Sequence, residues 1–188
     1  DELENALRAL GEVLEHRGSR FVVAVIGGTG LLLLGVVQRT TTDVDVVACI
    51  EGTTLKTANP LPPQLDEAAR DVARALKLGP KWLNPGPTAL LDFGLPDGFL
   101  ARCKVFDFGG LVAHVAGRYD QIHFKLYAAA DQGPRSKHMS DLRALAPTHD
   151  ELFTAARWCR THDSSPGFLI SLRGALSALG VEDFDEAR

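Results

Sequence analysis

Eighteen consecutive residues, Phe21 to Gln38, carry no charge. A run of that length approaches what a helix needs to cross the hydrocarbon core of a bilayer. Gly27-Gly28-Thr29-Gly30 cuts it in half, however, and β-branched residues dominate only the first half, Phe21-Val-Val-Ala-Val-Ile26. The pattern predicts a buried strand, a glycine turn and a short buried helix over Leu31 to Val37, and no membrane span.

The rest of the chain supplies what such a strand packs against. Of 188 residues, 45% are hydrophobic and 23% charged, enough to bury a core. Leucines and a valine at helical spacing from Leu3 to His16 predict an amphipathic helix. That start is acidic and helical, unlike a signal peptide. Val44 to Ile50 reads as the next strand, Asp66 to Leu78 as a second amphipathic helix, and residues 79–98 as mostly loop. Phe99 to Phe108 and Gly110 to Ala116 read as a hairpin turned at Gly109-Gly110. From Tyr119 the periodicity is helical only, over residues 119–130, 137–146, 149–162 and 166–179. The expected class is therefore α/β (α+β), with a mixed sheet flanked by helices in a head over residues 1–118 and a helical region over 119–188.

Charge and cysteine content narrow the setting. The net charge of −4 is unevenly spread, since residues 70–143 hold eleven Lys/Arg against seven Asp/Glu and the remaining segments are each acidic. That middle segment allows a basic face for a polyanion, although an excess of this size is also ordinary surface. Cys49, Cys103 and Cys159 lie too far apart for a CxxC zinc site or a disulfide framework, and suit the reducing cytoplasm. The six histidines show no HxH or HExxH spacing.

The residues that carry chemistry are Gly27-Gly28-Thr29 and, after a short apolar helix, Asp43-Val44-Asp45-Val46. Strand positions two apart share a face, so Asp43 and Asp45 project together while Val44 and Val46 enter the core. Neighbouring carboxylates repel unless a cation lies between them. Hard oxygen ligands of this kind suit Mg²⁺, which takes its remaining ligands from water and substrate phosphates. The glycine turn lets backbone N–H groups approach a phosphate.

Together these elements resemble the nucleotidyltransferase superfamily that includes polymerase β and kanamycin nucleotidyltransferase. Its pattern is a hydrophobic residue, Gly-Gly or Gly-Ser, a gap of about a dozen residues, and Asp-x-Asp. A second block, Tyr119 to Asp131 followed by Arg135 to Leu145, resembles the two C-terminal motifs of the AbiEii-type nucleotidyltransferase toxins, among them the mycobacterial MenT group. The resemblance covers roughly residues 20–160. It implies a fold with the helical region completing the active site, Asp43 and Asp45 as the Mg²⁺ dyad, Gly27, Gly28 and Thr29 at the nucleotide phosphates, Lys125 as a nucleotide contact and Asp141 as the last acidic motif. It further implies a nucleoside triphosphate such as ATP or CTP as donor, the 3′ end of tRNA as acceptor, blocked translation as the outcome and a cognate antitoxin as partner. An aminoglycoside-type small-molecule nucleotidyltransferase and a catalytically inert binding module remain alternatives.

Three further residues have two readings each. Asp107 is the only later-strand candidate for a third metal carboxylate, but Gly109-Gly110 favours a turn role. Trp82 fits either base stacking or core anchoring. Thr41, in the run Thr40-Thr41-Thr42, is a candidate regulatory phosphorylation site: a phosphate would add about −1.5 to −2 charges beside the dyad. Its bland alternative is a β-branched lead-in to the strand.

Overall fold

The β-branched run Phe21–Ile26 forms strand β1, whose Val23 and Val25 side chains enter the main apolar core. In the computed structural model residues 2–185 are described, and their secondary structure is mixed α/β. The chain divides into two compact units, residues 1–117 and 118–188. The first unit runs α1 (Glu2–His16), β1, α2 (Gly27–Leu33), β2 (Val44–Glu51), β3 (Thr54–Lys56), α3 (Pro63–Leu76) and β4 (Leu83–Asn84). A 3-10 segment (Gly86–Asp92), the single turn α4 (Phe99–Arg102) and the hairpin β5 (Lys104–Asp107) and β6 (Leu111–Val115) follow.

The sheet order is β3-β2-β1-β6-β5, with β4 also paired to β2. β1 lies antiparallel to β2 and parallel to β6, so it is central. Leu3, Leu7, Leu10 and Leu14 of α1 and Leu65, Ala68, Ala69, Val72 and Ala73 of α3 are buried against Val25, Val46, Leu111 and Val115 of the sheet. Each leucine so buried contributes about 1.5–3 kcal/mol. The β1–β2 ladder shifts register between Ala24 and Val25, where Val47 has no partner across the ladder. Such a bulge bends the strand and adds twist near its end.

Several elements differ from the sequence expectation. The helix read over 31–37 begins at Gly27 and ends at Leu33, because the chain turns directly from β1 into it and Gly35 at φ 73° closes it. Phe99 opens a helical turn rather than a strand, and the strand proper starts at Lys104. β3 and the two-residue β4 were not expected. α3 begins at Pro63, three residues early, with proline in the first turn where its missing N–H costs nothing. No helix among the described residues is long and apolar enough to cross a membrane.

In the second unit α6 (Lys137–Ala144), α7 (His149–His162) and α8 (Pro166–Ser177) all pack on α5 (Arg118–Gln132). Every residue of α5 from Asp120 to Leu126 is buried. Side chains cap the starts of the outer helices. Ser136 caps α6, Ser165 caps α8, and Thr148 with Glu151 forms a capping box on α7. Arg118 donates to the carbonyls of Leu145 and Ala146 and to both carboxylate oxygens of Glu151, tying α5 to the α6–α7 connection.

The Arg118 hydrogen bonds hold the Glu151 carboxyl at about 2, down from 4.5. A carboxyl lowered in the folded state adds stability that is present above its ordinary range and lost as pH falls through the folded value. Unfolding measured against pH is expected to show stability declining between about 4.5 and about 2, and Glu151→Gln is expected to remove that part of the slope. An unchanged slope in the variant would assign the acid sensitivity to other groups.

Candidate active site

β1 ends at Ile26, which faces Asp45 across the antiparallel ladder. The next residue, Gly27, has φ 76°, a backbone conformation that side chains rarely adopt. A Cβ there would also overlap Asp45 Oδ2. Gly27 is thus required twice, once by the backbone and once by the carboxylate beside it. Gly27→Ala is expected to cost about 1–3 kcal/mol of stability in strain and to displace the Asp45 side chain. Chemical denaturation checks the first effect; a midpoint equal to that of the parent protein contradicts it.

The loop after α2 returns over this turn. A Cβ on Gly28 would lie 3.0 Å from Arg39 Nη2 and 3.1 Å from Thr41 Oγ1. Thr29 is buried, and its hydroxyl donates to the Asp43 carbonyl oxygen at 2.6 Å. The Thr41 hydroxyl, half-buried, donates to the same carbonyl at 3.5 Å. Thr29 therefore braces the residue before β2, a bond the sequence did not reveal. Asp43 sits immediately before β2 rather than on it, and Asp45 is its second residue. Both are half-buried while Val44 and Val46 are fully buried, which is the alternation that separates carboxylates from core.

Asp45 has a partner that sequence reasoning missed. Asn84 Nδ2 donates to Asp45 Oδ1 at 2.9 Å, and Asn84 Oδ1 accepts from the Gly86 N–H at 3.0 Å. β4 pairs parallel with β2, placing Asn84 beside Asp45 and Leu83 beside Val44. Trp82 anchors that strand: it is 2% exposed, its indole N–H donates to the Ala69 carbonyl at 2.9 Å, and its own carbonyl accepts from Val44 N–H at 2.6 Å. Trp82 is a core anchor, not a stacking platform.

Asp43 and Asp45 offer hard oxygens at half-exposed positions, a donor type that would suit Mg²⁺. Among the described residues no group of three or more His, Cys, Asp or Glu suited to a metal occurs. Two carboxylates leave coordination positions for water and phosphate, the arrangement Mg²⁺ favours over an all-protein cage. Asp107 ends β5, separated from β2 by β6 and β1. It accepts from the Gly109 N–H and pairs with Arg20, contacts that hold its carboxyl below the usual range. It is a turn residue.

In the second unit, Lys125 and Asp141 are brought together. Lys125 Nζ lies 2.7 Å from Asp141 Oδ2, with the side chains 4% and 1% exposed. Two residues singled out in separate motifs form one buried ion pair between α5 and α6. The positive excess of residues 70–143 is similarly committed in part to local pairs: Arg70 with Asp66, Arg74 with Asp71, and Arg118 with Glu151.

No family model matches the chain, and no curated protein or solved structure matches it either.

Proposed function

We propose that the chain is a Mg²⁺-dependent nucleotidyltransferase that moves a nucleoside monophosphate from a nucleoside triphosphate to an acceptor hydroxyl. One observation carries this reading. The Asp45 carboxylate lies against the side-chain-free Gly27 turn, so an oxygen ligand suited to a metal and the glycine turn that the resemblance sets at the nucleotide phosphates share one end of the β1–β2 pair.

In the proposed reaction the acceptor oxygen attacks the α-phosphorus, the bond to the β-phosphate oxygen breaks, and pyrophosphate leaves. Asp43 and Asp45 would hold the Mg²⁺, which supplies charge neutralisation on the phosphates and activation of the attacking oxygen. By the resemblance Gly27 and Gly28 stand at the nucleotide phosphates, with Asp45, Arg39 and Thr41 packed around the turn. Thr29 keeps Asp43 in register through its carbonyl, and Arg39 contributes a cation beside Gly28. The resemblance alone makes Lys125 the nucleotide-contacting lysine and Asp141 the last acidic motif; within the helical unit the two form a buried ion pair.

The resemblance supports the 3′ end of tRNA as acceptor, a toxin role that stops translation, and an antitoxin partner. The test is incubation with total tRNA and each labelled triphosphate in turn, with and without Mg²⁺. Metal-dependent label on tRNA supports the whole reading. Label on an aminoglycoside and not on tRNA keeps the chemistry and replaces the acceptor. No metal-dependent transfer to any acceptor leaves an inert binding module.

A further inference from the structure

We infer that Asn84 is the positioning residue of the metal dyad, a role that rests on the nucleotidyltransferase reading. Its amide is fixed at both ends. The Gly86 N–H at 3.0 Å identifies Oδ1 as the acceptor, which leaves Nδ2 as the donor to Asp45 Oδ1 at 2.9 Å. The orientation of the amide is therefore set by the chain, not chosen to suit the carboxylate.

That bond holds one oxygen of Asp45 and leaves Oδ2 at the Gly27 turn, where the phosphate is proposed to bind. Asp45 alone could rotate about its side-chain torsions. With Asn84 on one oxygen and the glycine turn at the other, its carboxylate plane is restricted before any ligand arrives. Outer partners of this kind orient a ligating group and usually influence metal affinity without touching the metal.

Why the residue is an amide follows from charge. A carboxylate at position 84 would add a third negative group and could not donate to Asp45. Asparagine supplies one donor and one acceptor on a single short arm, matching the carboxylate on one side and the backbone N–H on the other. The anchor behind it is strong, because β4 is pinned by the buried Trp82.

The test uses Asn84→Ala and the near-isosteric Asn84→Leu in the full chain, with Asp45→Ala as control. Binding of Mn²⁺ to the protein is read by electron paramagnetic resonance, and the Mg²⁺ dependence of transfer is measured alongside. Both Asn84 variants are expected to bind Mn²⁺ about 10–100-fold more weakly. Their half-saturating Mg²⁺ should rise in proportion, and much of the transfer rate should return at high Mg²⁺. Circular dichroism and melting should remain close to the parent, a combination that a merely structural role would not give. Parent-like Mn²⁺ affinity in the Asn84→Leu variant, with binding lost in Asp45→Ala, overturns the role of Asn84 and leaves the dyad standing. Absence of Mn²⁺ binding in the parent protein overturns both.

Discussion

Asp43→Ala and Asp45→Ala are each expected to reduce nucleotidyl transfer by at least about a thousandfold while the protein stays folded. The scale follows from several kcal/mol of charge stabilisation at the phosphates, at about 1.4 kcal/mol per tenfold in rate. Folding should tolerate the change because both side chains are half-buried and stand away from the core. Removing one also relieves repulsion between like charges. Labelled-triphosphate incorporation together with thermal melting reads both quantities. Full activity in both variants would remove the metal assignment.

Lys125→Ala is expected to destabilise the helical unit by about 3–5 kcal/mol, since it strands the Asp141 carboxylate in a buried position. The resemblance gives Lys125 only a nucleotide contact; the buried ion pair makes stability the dominant expected effect. Replacing both partners, Lys125→Met with Asp141→Leu, should restore most of the stability, because an apolar pair of similar volume removes the uncompensated charge. Urea denaturation of the two single variants and the double variant closes the cycle. A double variant no more stable than Lys125→Ala would show that the pair is not what holds α5 to α6. Transfer assayed on the restored double variant then separates the roles, and loss of transfer in that stable protein is the expected result.

Elements with strong periodicity were legible in the sequence. α1 shows its leucine stripe, β1 its run of valines, and α6 to α8 their helical spacing, while their caps at Ser136, Thr148 and Ser165 emerged with the structure. Asp43 and Asp45 stood out in the sequence because two carboxylates beside an apolar run had no packing explanation there; the structure puts Asp45 on β2 and Asp43 just before it. What stayed hidden depends on tertiary pairing. β4 is two residues long, within a stretch rich in proline and glycine, and only its register against Val44 and Asp45 makes it a strand. Asn84 therefore gave no local signal. Arg39 lies in a loop whose return over Gly28 no periodicity encodes. Lys125 and Asp141 were each visible, but their mutual bond was not, since the angle between α5 and α6 is set by packing.

The pairing of β2 has a consequence for the order in which this protein becomes competent during synthesis. One edge of β2 can pair with β1 as soon as residue 51 has emerged, but β1 also needs β6, whose Leu111 lies opposite Phe21. The Asp45 side of the dyad waits for Asn84. A ribosome-bound fragment that ends before β4 would thus carry both aspartates without their clamp, and contacts so distant along the chain form late. On the proposed reading, transfer activity would then be absent while the chain was still being made.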